Sequence, residues 1–192
     1  IGMCRSASSE LKELGVEVCE GIDVSSSSLE AALKSAIGVN KIDILINNAG
    51  IFLNETLNDM DYSSITKQFE INTLGPLKVT MALLDNLNEN SKVGIVSSRM
   101  GSVSDNTSGA YYGYRMSKAG VNAIGKSLAM DLKSNKISVA LLHPGYVKTK
   151  MTGFNGDITP DAAAGGLIKI MDKLSLNNSG GFWHSNGEEL PW

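Results

Sequence analysis

The sequence predicts an α/β domain built on a doubly wound parallel sheet, with helices on both faces. Strand-like apolar runs alternate along the chain with helical patterns, which is typical of βαβ units. The run Ile42–Ile46 is nearly continuous in apolar residues, as expected of a strand buried on both faces. The chain has 192 residues, 42% of them hydrophobic, which suits one domain with a full core. We therefore expect residues 1–192 to form a single domain.

The first half of the chain contains three strands, each followed by a helical region. Gly15 ends the first helix, because glycine tolerates the left-handed position that follows a helix. Ser27 and Glu30 match a capping box at the start of the second helix. Pro76 lacks an amide hydrogen and should bend or restart the third helix. In chain order the predicted elements are Ile1–Cys4, Ser9–Leu14, Val16–Val24, Leu29–Ile37, Ile42–Ile46 and Tyr62–Leu87.

The second half of the chain contains three further strands and two long helices. Ile124, Leu128 and Leu132 recur every four residues, which predicts one buried helical stripe. Thr159 followed by Pro160 is a good helix start, with a capping side chain and then proline in the first turn. The predicted elements are Lys92–Ser97, Tyr114–Leu132, Ile137–Leu142, Thr159–Leu174 and Phe182–His184.

Composition excludes several classes of partner. The formal net charge is −3 and no block of basic residues occurs, so we expect neither nucleic acid nor an anionic membrane as a partner. No apolar run approaches the roughly 20 residues of a membrane helix, and no signal-peptide pattern is present. The two cysteines, Cys4 and Cys19, lie in strand-like runs and suggest reduced, buried thiols. These features predict a cytoplasmic protein.

Polar residues, glycine and proline follow five of the predicted strands. In a doubly wound sheet, ligands bind beyond the carboxyl ends of the strands. The residues at these ends are Arg5, Asp23, Asn47–Gly50, Ser97–Ser98 and His143–Gly145. One interpretation is that these residues form a ligand-binding site at this edge of the sheet. The alternative is that strand ends are loops in any protein, and loops favour such residues.

Tyr114 and Lys118 are spaced i,i+4, so a helix places them on one face, one turn apart. A phenol normally loses its proton near pH ~10, and a nearby ammonium favours the phenolate and lowers that pKa. Such a tyrosine could exchange a proton with a carbonyl or an alcohol. Ser98, at a strand end, could polarise the same oxygen. A Tyr-x-x-x-Lys pair alone is nonetheless weak evidence, because most such pairs are solvated helix faces.

Several motifs in one order resemble the short-chain dehydrogenase/reductase family, over nearly all of the chain. They are Asn47-Asn48-Ala49-Gly50, Asn72, the Ser98 segment, Tyr114-Arg115-Met116-Ser117-Lys118 and His143–Thr149. The resemblance implies a Rossmann-like fold. Within the family, the chain is similar to the C-factor and sniffer-like carbonyl reductase group at Arg99–Ser102, Leu141–Gly145 and Leu190–Trp192.

The resemblance implies four catalytic residues. Tyr114 would be the general acid/base, and Lys118 would lower its pKa and hydrogen-bond the nicotinamide ribose. Ser98 would hold the substrate oxygen. Ser97 is the neighbour with which it could be confused, and only one of the two can face the site, because successive strand residues point to opposite faces. Asn72 would hold a water that continues the proton relay, or it could simply bond its own backbone at a helix break.

The resemblance also implies a set of cofactor-binding residues. Asp23 and Val24 would flank the adenine, and Asn47, Ala49 and Gly50 would lie beside the adenosine half. Tyr114, Lys118, Pro144, Gly145, Val147 and Thr149 would serve the nicotinamide half. We interpret His143 as structural, since Tyr114 fills the acid/base role. Arg5 favours NADP(H) over NAD(H), because arginine accommodates a 2′-phosphate; the alternative is a solvated arginine at a strand exit.

The family's opening strand and its glycine-rich phosphate loop have no counterpart in this sequence. No Gly-x-Gly occurs in the first forty residues, so about thirty residues, one strand and one helix, have no match. In the family that strand lies between the strands that here end at Arg5 and at Asn47. We therefore expect those two strands to lack a partner, either in a fragment of a longer protein or in a poorly stable chain with weak cofactor binding.

The predicted substrate is a small, hydrophobic carbonyl or alcohol compound. In the family that the chain resembles, the segment between Met151 and Pro160 covers the substrate; here it is short, which implies an open site. Its walls could include Phe52, Met100, Tyr112, Tyr146, Met151 and Phe154, although these could equally pack as core. Small residues along the Tyr114 helix permit close packing inside the domain or across a homodimer. Two rival functions remain open: a signalling protein of this fold, and an NADPH-binding sensor.

Overall fold

The computed structural model describes all 192 residues, Ile1–Trp192. The chain forms six strands and six α-helices, with one helix in each connection between consecutive strands except the third, which contains two. The strands are β1 (Gly2–Met3), β2 (Val18–Cys19), β3 (Ile42–Asn47), β4 (Leu87–Val96), β5 (Ser138–His143) and β6 (Gly181–His184). The helices are α1 (Ser9–Glu13), α2 (Leu29–Ile37), α3 (Tyr62–Phe69), α4 (Gly75–Ala82), α5 (Tyr112–Asp131) and α6 (Pro160–Lys173).

All of the strands pair in parallel, in two sheets. One sheet has the order β1-β2 and the other has the order β3-β4-β5-β6. Parallel neighbours need a crossover connection, and here helices supply it. The prediction of a Rossmann-like α/β fold with parallel strands is therefore confirmed.

The split between the two sheets lies where the sequence predicts unpartnered strands. β1 pairs only with β2, and β3 pairs only with β4. Ile44 and Ile46 of β3 remain 53% and 46% exposed, so the predicted burial of this strand on both faces is wrong. Its apolar sequence suits a central strand, but its position is an edge. The two sheets are joined through helices α2 and α4, because Met3 from one sheet and Leu45 from the other pack on the same apolar cluster.

The main core lies between α5 and the larger sheet. Leu128 and Leu132 are buried there, and Ile124 packs against them, as their spacing predicts. Gly120 and Gly125 pack inside the chain: an added Cβ would lie 2.9 Å from Thr73 Cγ2 at the first position and 2.7 Å from Leu141 Cδ2 at the second. These two glycines are therefore used for packing within the domain.

Two predicted helix features differ from the structure. The Ser27–Glu30 capping box does not form; α2 has Ser28 at its N-cap without a side-chain cap, and Glu30 pairs with Lys34 instead. The long helix predicted from residue 62 is interrupted by a π-helical turn, Glu70–Leu74, directly before Pro76 starts α4. It ends early because β4 begins at Leu87, five residues before the predicted strand. No helix in the structure is long and apolar enough to cross a membrane.

Candidate active site

A cavity of about 2070 Å³ opens at the carboxyl ends of the strands and continues into the gap between β1 and β3. Small-molecule pockets are usually about 300–1,000 Å³, so this cavity exceeds the size of an ordinary ligand site. The structure brings thirteen of the fourteen predicted site residues to its wall. They are Arg5, Asp23, Val24, Asn47, Ala49, Gly50, Ser98, Tyr114, Lys118, Pro144, Gly145, Val147 and Thr149.

Helix α5 carries the Tyr114 and Lys118 side chains into this cavity. The two residues lie one turn apart, 9% and 4% exposed, and Lys118 Nζ is 5.7 Å from the centre of the Tyr114 ring. Phe52 packs edge-on against the Tyr114 ring, with 4.9 Å between ring centres. The pair is therefore buried, in contrast to the solvated helix face that most such pairs form.

Burial controls the charge state of Tyr114. Desolvation raises the pKa of the phenol above its usual value of 10.0, and the Ser98 hydroxyl offsets only part of this effect. We predicted that Lys118 lowers the Tyr114 pKa; in the structure that pKa is raised. Desolvation of the buried phenol is the largest influence on its pKa, and Lys118 is not among the groups that lower it.

Lys118 is an almost fully buried amine with one protein partner. Its Nζ donates to the carbonyl oxygen of Val96 at 2.9 Å, and desolvation lowers the pKa of Lys118 to about 8. An ammonium has three donors, so two N–H groups remain for a ligand in the cavity. This donor set fits the hydroxyl groups of a ribose.

The two adjacent serines at the end of β4 have different partners. Ser97 Oγ donates to Asn122 Oδ1 at 2.5 Å, inside the core. Ser98 Oγ accepts from the Met100 amide at 3.2 Å and lies close enough to Tyr114 to affect its pKa. The hydroxyl of Ser98 can still donate its own proton, which is what a substrate oxygen requires.

Asn72 is the one predicted site residue that does not line the cavity. Its side chain is 1% exposed and makes three hydrogen bonds, two with the backbone of Ile51 and one with Ser117 Oγ at 3.0 Å. It therefore fastens the segment after β3 to α5, rather than bonding its own backbone. A water-holding role for Asn72 stays a prediction.

The other polar groups at the strand ends have defined surroundings. Asp23 accepts from the Ser25 amide and hydroxyl at 2.9 and 2.7 Å, and these bonds lower the pKa of Asp23. His143 packs edge-on against His184 with 4.8 Å between ring centres, and its Nδ1 is buried without a partner. Burial, followed by the nearby positive charges of His184, Arg99 and Lys118, lowers the pKa of His143 to about 3, so the ring is neutral near pH 7. This suits the structural interpretation.

A buried carboxylate that the sequence analysis missed supports the start of α5. Glu55 is 0% exposed, and it accepts from the Gly113 amide at 2.9 Å, from Gln68 Nε2 at 2.7 Å and from Ser64 Oγ. Its backbone oxygen accepts from the Tyr111 amide. A negative charge at a helix N-terminus is stabilising. In sequence, Glu55 looks like any loop residue, because its partners lie up to 58 residues away.

We expect Gly101→Ala to destabilise the site, because α5 passes directly over this glycine. An added Cβ would lie 2.6 Å from the Lys118 carbonyl carbon, and a backbone atom cannot move aside cheaply. Overpacking of this kind costs about 1–3 kcal/mol. The measurement is the urea midpoint of unfolding. Gly165→Ala, in α6 with open space around the position, is the control and should be neutral or stabilising. An unchanged midpoint for Gly101→Ala would contradict the close contact.

The chain belongs to the short-chain dehydrogenase family. A family model described as "short chain dehydrogenase" matches residues 2–157. The protein is thus a short-chain dehydrogenase/reductase, an oxidoreductase, as its motifs indicate.

Two relatives show which members of the family the chain is similar to. The chain is 43% identical over 198 residues to 1-hydroxy-2-glutathionyl-2-methyl-3-butene dehydrogenase of Rhodococcus sp. (strain AD45), covering 100% of this chain and 88% of that protein. It is 40% identical over 164 residues to C-signal of Myxococcus xanthus, covering 84% and 99%. These relatives, together with the solved carbonyl reductases, confirm the predicted likeness to the C-factor and sniffer-like group.

Solved structures agree with this placement. The carbonyl reductase Sniffer of D. melanogaster is 28% identical with a TM-score of 0.89, covering 99% of this chain and 86% of that one. The NADPH-bound carbonyl reductase from chicken fatty liver is 27% identical with a TM-score of 0.88 and the same coverage.

Proposed function

We propose that the protein is an NADP(H)-dependent oxidoreductase that interconverts a carbonyl and an alcohol, with Tyr114 as general acid/base. The observation that carries this proposal is the placing of the Tyr114 hydroxyl, the Lys118 ammonium and the Ser98 hydroxyl at one cavity wall. All three groups are buried, and each has donors or acceptors left for a ligand.

The residues divide the chemistry between them. Ser98 donates a hydrogen bond to the substrate oxygen, and Tyr114 gives its proton to that oxygen in the reducing direction. The raised pKa of Tyr114 keeps the phenol protonated and ready to donate. Lys118 holds the ribose hydroxyls and stabilises the tyrosinate that forms once the proton has left. A nicotinamide, when bound, supplies the hydride.

The cavity wall suits a dinucleotide at several points. Gly50 lies beside the Lys118 amine, where an added Cβ would be 3.3 Å from Asn72 Oδ1 and 3.8 Å from Lys118 Nζ, so glycine keeps the backbone close to both groups without crowding. Pro144, Gly145, Val147 and Thr149 continue the wall from the end of β5. Arg5 supports NADP(H), since it is exposed, lines the same cavity and lies just beyond the end of β1. The likeness to an NADPH-bound carbonyl reductase adds to this support.

We expect Arg5→Gln to weaken NADPH binding and leave NADH binding nearly unchanged. A charge-assisted hydrogen bond to a phosphate contributes about 1.5–3 kcal/mol, which corresponds to a loss of roughly tenfold to a hundredfold in affinity. The measurement is a titration of each dinucleotide followed by its own fluorescence. Lys34→Gln removes the same charge on the surface of α2, away from the cavity, and is the control. An equal loss for both dinucleotides would remove Arg5 from the 2′-phosphate.

The substrate side of the cavity is apolar and open. Phe52, Met100, Tyr146 and Met151 line it, as predicted, whereas Tyr112 and Phe154 do not. Tyr146 and Met151 remain 52% and 49% exposed, which fits the expected short cover. We propose small hydrophobic ketones and aldehydes as substrates. A panel that gave turnover only with small charged carbonyl compounds would contradict this.

The likeness to C-signal keeps a non-enzymatic function as a second candidate. A signalling protein of this fold would reduce nothing in the same panel, with or without NADPH binding, and a sensor would bind NADPH without turnover. Trp183 and Trp192 do not line the cavity, so NADPH emission is a better reporter of cofactor binding than tryptophan fluorescence.

A homodimer is a further proposal. Its interface would be the exposed face of α5 that carries Met116 and Met130.

A further inference from the structure

Arg115 is a cavity-lining cation that the proposed mechanism does not use. It follows Tyr114 on α5 and is partly buried. No carboxylate of the protein forms an ion pair with its guanidinium. Arg99 lines the same cavity, but it contacts Asp105 at 3.4 Å and Glu188 at 3.5 Å. Because buried arginines are nearly always paired, the partly buried Arg115 is the cation here that lacks a counter-ion.

The loop before α5 holds the Arg115 guanidinium in place. Its Nε donates to the carbonyl oxygens of Gly109 and Ala110, both at 3.2 Å, and its Nη2 donates to Ser108 Oγ at 2.9 Å. Its Nη1 donates to the Met100 carbonyl oxygen at 3.5 Å. A guanidinium has five N–H donors, so Nη1 and Nη2 each keep one for a ligand. Two such donors match the two oxygens of a carboxylate.

The charges on the cavity wall also favour an anion near α5. The acidic residues that line the cavity are Asp23, which follows β2, and Asp43 in β3. On the other side, Arg115 and Lys118 belong to α5, and Arg99 lies in the turn after β4. Charges of one sign that line a cleft raise the local concentration of ligands of the opposite sign. The substrate side of the cavity is therefore apolar, but positively charged at Arg115.

We propose that Arg115 binds a carboxylate of the substrate, so that the preferred substrate is an apolar carbonyl compound with an acidic group remote from the reacting carbon. This inference rests on the proposed function, in which Ser98 holds the carbonyl oxygen. Met100 connects the two sites, because its amide donates to Ser98 Oγ at 3.2 Å and its carbonyl oxygen accepts from Arg115 at 3.5 Å. One residue spans about 3.5 Å, so the guanidinium and the Ser98 hydroxyl lie within about 10 Å of each other.

This distance limits the length of the substrate. A hydrogen bond at each end takes up about 3 Å, which leaves at most about 4–5 Å between the carbonyl and the carboxylate groups. Roughly three methylene groups cover this distance, since a C–C bond is about 1.5 Å long. The keto acid γ-benzoylbutyrate has this spacing and an apolar ring. Its methyl ester has nearly the same shape and no charge, so it is the matched control.

The test compares γ-benzoylbutyrate with its methyl ester, by calorimetry for binding and by NADPH oxidation for turnover. The unsubstituted protein should bind the acid about tenfold or more tightly than the ester, which is the affinity that a charge-assisted hydrogen bond contributes. In Arg115→Gln the two dissociation constants should become nearly equal, while the constant for the ester stays unchanged. Arg115→Lys keeps the charge but loses the planar pair of donors, and it should retain only part of the preference.

Arg99→Gln is the matched variant at a second cation of the cavity wall. Because Asp105 and Glu188 already pair with Arg99, this variant should keep the preference for the acid. A preference lost in Arg99→Gln and kept in Arg115→Gln would place the carboxylate at Arg99 and overturn the proposal.

Two other results would also overturn it. The first is the absence of any preference for the acid in the unsubstituted protein, whether both compounds bind or neither does. The second is an equal weakening of acid and ester binding in Arg115→Gln, which would mean that Arg115 only supports the loop before α5. The proposed function is tested separately: turnover of both compounds without a preference for the acid would remove the carboxylate site and keep the reductase, whereas preferential binding of the acid without any turnover would do the reverse.

Discussion

Tyr114→Phe should abolish the reduction of carbonyl substrates while NADPH binding stays nearly unchanged. The substitution removes one oxygen and keeps the ring against Phe52, so the packing of the buried site is preserved. General acid catalysis contributes about 10²–10⁴-fold, and we expect a loss of this order in kcat. The measurement is the rate of NADPH oxidation with a hydrophobic ketone, alongside a fluorescence titration of NADPH.

Tyr112→Phe is the matched control for this result. Tyr112 begins the same helix but does not line the cavity, so its hydroxyl should be dispensable. Retained turnover in Tyr114→Phe would remove this residue from its assigned role. An equal loss of turnover in Tyr112→Phe and Tyr114→Phe would indicate a general disturbance of α5 instead.

Lys118→Met should stabilise the protein near neutral pH and eliminate its activity. Folding lowers the pKa of Lys118 from 10.5 to about 8, so over this interval the unfolded chain binds the proton and the folded chain does not. The resulting penalty is absent above pH 10.5, grows as pH falls, and is complete below pH 8, where it amounts to about 3 kcal/mol. Methionine has a similar shape and carries no such penalty.

The measurement is the free energy of unfolding in urea between pH 8 and pH 10, for the unsubstituted protein and for Lys118→Met. The advantage of the variant should shrink as pH rises through this window. The measurement stays below pH 10, because above that value Tyr114 loses its proton in the unfolded chain. In the folded chain its raised pKa keeps the proton bound, and this difference favours unfolding. Lys126→Met, at an exposed position of the same helix, is the control. If the difference in the free energy of unfolding between the two proteins did not vary with pH, Lys118 would not be desolvated.

The placing of Tyr114 and Lys118 on one helix face could be predicted from sequence because it depends on local geometry alone. Tyr114 and Lys118 lie within one turn of α5, so the helix itself sets their relation. The same holds for the Thr159 cap of α6 and for the apolar stripe of α5, which both form as predicted. The Ser27–Glu30 box failed because Ser28 takes the cap position, a shift of one residue that composition does not determine.

The partners of the site residues could not be predicted, because they come from distant parts of the chain. Asn72 bonds Ile51 and Ser117, and Glu55 reaches Gly113 across 58 residues. The sign of the Tyr114 pKa shift is another example. Sequence places an ammonium one turn away, but the desolvation that outweighs it comes from everything packed around the ring.

The sequence by itself determined the alternation of strands and helices, the polar residues at the strand ends and the shared face of Tyr114 and Lys118, since each follows from periodicity or spacing over a few residues. Only the tertiary structure decided that the Ser97 hydroxyl bonds Asn122 in the core, and which way burial moves the Tyr114 and Lys118 pKa values. Solvation and hydrogen-bond pairing are properties of the whole packed chain, and no local pattern specifies them.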